Sequence, residues 1–152
     1  MVDERSENMP IGSYQHNIDV KGRVFMPAKF REELGDKFVM CRGTVKCVFV
    51  FSKEGWNDFT SNIVNIPTTD MKLQTFIRRL YASASEADTD KQGRILLPQK
   101  LREYAGLEKE AIVNGVQNRV EIWNPEEWDN YLDGSDRPVP RVLQHNAFLE
   151  FF

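Results

Sequence analysis

The sequence predicts an α+β fold in which two tandem β-β-α-β-β-α units close one pseudo-twofold β-barrel, with helices at its margins. Three observations predict it. The stretch "DVKGRVFMPAKFREELG" at 19–35 returns as "DKQGRILLPQKLREYAG" at 90–106, and self-similarity of this kind comes before any other fold signal. Short alternating apolar runs bounded by glycine and proline recur through both halves. Half of a 152-residue chain is marginal alone, whereas two halves can share one core.

The repeat has a fixed offset. A shift of 71 positions pairs Asp19 with Asp90, Gly22 with Gly93, Arg23 with Arg94, Pro27 with Pro98, Lys29 with Lys100, Arg31 with Arg102 and Gly35 with Gly106. A shift of 72 then pairs Gly43 with Gly115, Val48 with Val120, Phe51 with Trp123 and Trp56 with Trp128.

Within each copy the elements follow in order. "YQHNID" alternates and runs into Asp-x-x-Gly, which suits a tight turn with Asp first and Gly last. The next strand, "RVFMP" or "RILLP", ends at a proline placed to open a short helix, and Gly35 or Gly106 suits the position past its end. That helix carries Phe30 and Leu34, or Leu101 and Ala105, four apart on one face. Two short strands follow, "KFVMCRG" and "CVFVFS" in one copy, "AIVNGV" and "RVEIWN" in the other. A second helix closes each unit, capped by Ser52 in the first and by the Asn of "NPEEWDNY" in the second. Between the units, Thr69 or Asp70 caps a helix with Leu73, Phe76, Ile77, Leu80 and Tyr81 on one side, which reads as a packing helix.

These signals divide the chain into a first repeat at 9–66, a connecting helix at 67–83 and a second repeat at 84–132. Residues 1–8 read as a disordered extension, and 133–152 form a tail whose apolar end, "AFLEFF", has no assigned role.

Composition narrows the function. At 41% hydrophobic and 28% charged residues the chain reads as soluble and globular. The longest apolar run, "CVFVF", is far too short to cross a bilayer, and the first ten residues lack the apolar stretch of a secretory signal, so a cytoplasmic protein is expected. Cys41 and Cys47 match no metal or redox spacing and read as packing residues. The net charge of −3 runs against a nucleic-acid partner. Its distribution runs the other way. Residues 19–31 set Lys21, Arg23, Lys29 and Arg31 against Asp19 alone, and 90–102 set Lys91, Arg94, Lys100 and Arg102 against Asp90 alone.

Asp19, Gly22, Asp90 and Gly93 are explained by turn chemistry. Arg23 and Arg94 are not, because a strand start accepts any residue. A guanidinium beside a carboxylate four residues earlier is aimed as a donor fork at phosphate or at a guanine edge; an ion pair across the hairpin is the structural alternative. Catalysis fits poorly. Ser13, His16 and Asp19 form a triad by type, but His16 and Asp19 face opposite sides of a strand, and the second copy has Ala84, Ala87 and Asp90 there. Glu86, Asp88 and Asp90 read as a solvated acidic face, and two histidines are too few for a zinc site.

The segments "GSYQHNIDVKGRVFMPAKFREELG" and "DKQGRILLPQKLREYAGLEKEAIVNGVQNRVEIWNPEEW" resemble the MraZ family of bacterial regulators, tandem relatives of the AbrB-like swapped-hairpin proteins. The resemblance spans Met9 to Tyr131 and includes both Asp-x-x-x-Arg signatures. It implies an AbrB/MraZ-like barrel and a non-enzymatic transcription factor, cytoplasmic and nucleoid-associated, with no cofactor and no small-molecule substrate. It further implies a closed homo-oligomeric ring that binds short direct repeats in the promoter of its own division and cell-wall cluster, usually as a repressor. By that motif Arg23 and Arg94 contact DNA, with Asp19 and Asp90 as their partners. For Lys21, Lys29, Arg31, Lys91, Lys100 and Arg102 the warrant is local charge alone. An AbrB-like antitoxin or RNA-binding module, or a ring scaffold without DNA binding, remain as alternatives.

Overall fold

The structure is a computed structural model that describes residues 10–63 and 65–134. The expectations for residues 1–8 and for the tail from 135 onward lie outside the described residues.

Thirteen elements follow one another: β1 (Gly12–Asn17), β2 (Arg23–Phe25), α1 (Ala28–Leu34), β3 (Phe38–Arg42), β4 (Val48–Ser52), α2 (Lys53–Ser61), α3 (Met71–Ser83), β5 (Ser85–Ala87), β6 (Arg94–Leu96), α4 (Gln99–Ala105), β7 (Glu110–Val116), β8 (Arg119–Trp123) and α5 (Pro125–Gly134). Six strands form an antiparallel sheet in the order β1-β7-β8-β4-β3-β5, and β2 pairs with β6 in a separate ribbon. Exchanging the two copies turns the sheet order into its own reverse, the mark of a twofold repeat. The ends of the sheet, β1 and β5, are not joined by a ladder, so the architecture is a six-stranded sheet with a two-stranded ribbon.

The strands flanking the Asp-x-x-Gly turn do not zip into a simple hairpin. β1 pairs along its length with β7 of the second copy, and β2 pairs with β6. Only the bridge between Ile18 and Val24 joins the two arms of the first turn. The repeats are therefore interleaved rather than set side by side.

Central strands are buried on both faces, which explains why β4 reads as the continuous run "VFVFS". Its Val48 and Val50 face a core with Val24, Met26, Phe30, Ile95, Leu97 and Leu101. Phe49 and Phe51 face the opposite cluster with Cys41, Leu80 and Trp123, against which Trp56, Phe59 and Trp128 pack. Fully burying each such side chain contributes about 1.5 to 3 kcal/mol. Both cysteines are free and buried, and burial pushes the Cys41 thiol up to about 12 and the Cys47 thiol higher still, so they are packing residues. Glu121 is buried; it accepts from Arg119 Nε at 3.0 Å and from Trp123 Nε1 at 2.9 Å.

The capping expectations resolve in detail. Pro27 and Pro98 occupy the cap position, one residue before the first helical turn. Ser52 accepts from Gly55 N and Asn124 from Glu126 N and Glu127 N. Of Thr69 and Asp70, Asp70 is the cap of α3, accepting from Leu73 N. On α3 only Leu80 is fully buried; Met71, Leu73, Phe76 and Tyr81 are exposed.

Candidate nucleic-acid interface

The site starts with two nearly identical turns. Asp19 Oδ1 accepts from Lys21 N at 3.0 Å and Arg23 N at 2.9 Å, while Gly22 N donates to Asp19 O at 2.9 Å. In the second copy Asp90 Oδ1 accepts from Gln92 N and Arg94 N, both at 2.9 Å, and Gly93 N donates to Asp90 O at 3.0 Å. The other carboxylate oxygen takes the arginine: Arg23 Nε reaches Asp19 Oδ2 at 2.7 Å and Arg94 Nε reaches Asp90 Oδ2 at 2.9 Å. One aspartate therefore both shapes its turn and orients its arginine. Backbone donation from Arg23 is the largest influence on Asp19 and, against a smaller cost of desolvation, holds its carboxyl below the usual value. Backbone donation from Arg94 does the same for Asp90.

Both turns require glycine. Gly22 has φ +88° and Gly93 φ +79°, in the left-handed region. Close approach adds a second reason. A Cβ on Gly22 would lie 2.7 Å from Arg102 Cζ, and one on Gly93 would lie 2.9 Å from Arg31 Cζ. Arg102 Nε donates to Leu97 O and Arg31 Nε to Met26 O, each at 3.0 Å. Arg31 and Arg102, singled out by charge alone, each lie against the opposite copy's turn with Nε bonded to a carbonyl, and the Arg31 guanidinium also sits 5.5 Å from the Phe25 ring centroid.

The ribbon sets the two turns beside each other. Arg23 pairs with Leu96 and Phe25 with Arg94, around the central pair Val24 and Ile95, both with no exposure. Alternation sends Arg23, Phe25, Arg94 and Leu96 to the outer face. Phe25 and Leu96 are 37% and 56% exposed, and sequence reasoning missed them. In a three-residue apolar strand, only the alternation of "RVF" and "RIL" across a buried centre signals that the last residue points outward. Lys21 and Lys91 in the turns and Lys29 and Lys100 on the helices are exposed, and Arg23 and Arg94 are half-buried. The surface is therefore a cationic ribbon with an apolar element. Among the described residues no cluster of histidine, cysteine or carboxylates fit to hold a metal occurs. No helix among them is long and apolar enough to cross a membrane.

Comparison with known proteins is consistent over the whole repeat. The family model described as "MraZ protein, putative antitoxin-like" matches residues 9–79 and again 80–141. A protein named Transcriptional regulator MraZ from Acetivibrio thermocellus is 44% identical over 138 residues, covering 91% of this chain and 96% of its own. Its namesake in Carboxydothermus hydrogenoformans is 49% identical over 136 residues, covering 90% and 95%. That in Halothermothrix orenii is 45% identical over 134 residues, covering 88% and 94%. The two family matches divide the chain between residues 79 and 80, within α3, and on this double match and these identities the chain belongs to the MraZ family.

Proposed function

We propose that the chain is a sequence-specific DNA-binding transcription regulator whose reading surface is the outer face of the β2–β6 ribbon. The observation that carries the reading is the pairing of two Asp-oriented arginines, Arg23 and Arg94, on one narrow antiparallel ribbon. A two-stranded ribbon fits the major groove, and guanidinium groups fixed by a carboxylate donate to guanine edges or phosphates without first losing much rotamer freedom. Lys21, Lys91, Lys29 and Lys100 contribute phosphate contacts, which position without specifying. Phe25 and Leu96 contribute apolar contact of the kind made with a thymine methyl. The names of the relatives support the regulatory class.

The net charge of −3 is compatible with this role if several copies act together. A closed ring would line successive ribbons along direct repeats and replace strength per subunit by avidity. The exposed apolar residues of α3 and the open edges β1 and β5 supply surfaces for such an assembly. Control of its own division and cell-wall promoter, by repression and in the nucleoid, follows from the family resemblance.

The test is binding of the full chain to the DNA upstream of its own gene, by anisotropy across a salt series, with an RNA of the same sequence as competitor. If each of several engaged subunits neutralises about two phosphates, log K falls against log salt with a slope of roughly −5 or steeper. A slope near −1 would leave a single contact and sink the avidity reading; preferential capture by RNA would sink the promoter reading.

A further inference from the structure

A second cationic site, away from the ribbon residues, lies between the end of β3, α3 and α4. It is a cavity of about 210 Å³ on which Arg42, Lys72 and Arg79 converge. No carboxylate lines it, and none of the three cations has an ion pair among the described residues. Three like charges gathered on one concavity repel each other unless an anion offsets them.

One wall is fixed. The Arg42 guanidinium lies 4.1 Å over the Tyr104 ring, and the Tyr104 hydroxyl donates to Gly43 O at 2.8 Å. Arg42 N donates to Ser83 Oγ at 3.0 Å, and Ser83 Oγ donates to Leu80 O, tying the end of β3 to α3. Phe76 and Leu80 give the cavity an apolar side. Of the three cations Arg42 is held against Tyr104, whereas Lys72 and Arg79 are exposed and are ordered only when the anion binds, which costs part of the affinity.

We propose that this cavity binds a small phosphorylated molecule, its phosphoryl oxygens held by Arg42, Lys72 and Arg79 and its body lying against Phe76 and Leu80. Guanidinium forks match phosphoryl geometry, and Lys72 adds a point charge. Size selects the occupant. The volume is several times the ~30 Å³ share of one water, yet below the ~300 Å³ of a drug-sized pocket. A duplex presents its phosphates on a convex backbone and has nothing to place against an apolar wall inside a recess.

The experiment uses the full chain with inorganic pyrophosphate as the probe, in calorimetry and thermal melting, with sodium acetate at matched ionic strength as the control. Pyrophosphate binds and raises the melting midpoint, as any ligand of the folded state does; acetate does neither. Arg79→Gln and Lys72→Gln each weaken pyrophosphate binding by roughly tenfold or more, without altering the midpoint in its absence. Arg23→Ala leaves pyrophosphate affinity unchanged. The proposal is overturned if pyrophosphate fails to bind, or if it binds the cavity variants and the parent equally. It is overturned too if Arg79→Gln weakens promoter affinity as much as pyrophosphate affinity, since the phosphate recognised is then that of DNA. A change of particle mass in Arg79→Gln, with no pyrophosphate binding by the parent, would instead assign the cavity to contact between copies. The probe contains no nucleic acid, so failure here and failure of the promoter reading are separate results.

Discussion

Arg94 Nη1 lies 3.6 Å from Asp19 Oδ2, so the carboxylate that orients Arg23 also faces the arginine of the other repeat. No converse pair between Arg23 and Asp90 occurs among the described residues. Arg94 is consequently flanked by two carboxylates and Arg23 by one. The copies are alike in sequence and turn geometry but unequal in electrostatics.

Arg23→Ala is therefore expected to cost more promoter affinity than Arg94→Ala. A lost arginine contact costs about 1 to 3 kcal/mol for each engaged subunit. Partly exposed ion pairs contribute little to folding, so both variants should melt within a few degrees of the parent. Anisotropy and melting on the same preparations check this. An Arg23→Ala protein that binds normally but melts far lower would make the arginine part of the scaffold.

Gly22→Ala should damage the turn before any DNA is added. A left-handed φ costs a non-glycine residue about 1 to 3 kcal/mol, and here the new Cβ also meets the Arg102 guanidinium. Gly106 provides the comparison, because it is left-handed with φ +67° and its Cβ position meets Lys46 only at an ordinary 3.7 Å. Equal loss of thermal midpoint in Gly22→Ala and Gly106→Ala would show that the Arg102 contact adds nothing.

Arg102→Ala and Lys100→Ala should separate scaffold from surface on a single short helix. Arg102 donates to Leu97 O and backs Gly22, so its removal should cost about 1 kcal/mol of stability through that bond. Lys100 is exposed, so its removal should leave the midpoint alone and make the salt slope of DNA binding shallower. The reverse pattern would return Arg102 to the DNA-contacting set.

These roles show what the sequence could and could not say. The 71-residue offset made the doubled unit, its turns and its helix faces legible, because Asp, Gly and Pro at fixed spacing have local physical causes. Strand partners were not legible: the alternation of "YQHNID" marks a strand, not that its ladder neighbour is β7 of the other copy. The turn motif set Arg23 apart and charge alone marked Arg102; only geometry shows that Arg23 Nε is held by Asp19 and Arg102 Nε by the carbonyl of Leu97. Likewise the apolar stripe of α3 predicted packing, and within the chain only Leu80 is fully buried by it.

Acid should weaken the fold through the two turn aspartates. Both have folded values below the ordinary carboxylate value, so the stability they supply is fully present above their unfolded pKa and lost as pH falls through the folded one. Melting midpoints should hold from neutrality to about pH 4 and decline below it. Glu33 works in the opposite sense, since desolvation raises its carboxyl and its protonation relieves that cost. Asp19→Asn with Asp90→Asn should flatten the acid limb. An unchanged limb in that double variant would assign acid sensitivity to other carboxylates.

Assembly is the prediction on which avidity depends. The single chain leaves Met71, Leu73 and Tyr81 of α3 exposed, together with Ile11 and Tyr14 at the edge strand β1. Large apolar side chains grouped along one helix, next to sheet edges with unpaired backbone groups, are surfaces that a further copy can cover. Light scattering should give a mass several times 17.7 kDa at micromolar concentration. Leu73→Glu should lower that mass while leaving the chain folded, because the residue is 42% exposed and contributes little to the core. Promoter binding should fall with the mass, since each separated chain presents only one ribbon. A parent protein that is monomeric yet binds the promoter tightly would show that a single ribbon suffices, and the role of the α3 face would then have to be sought elsewhere.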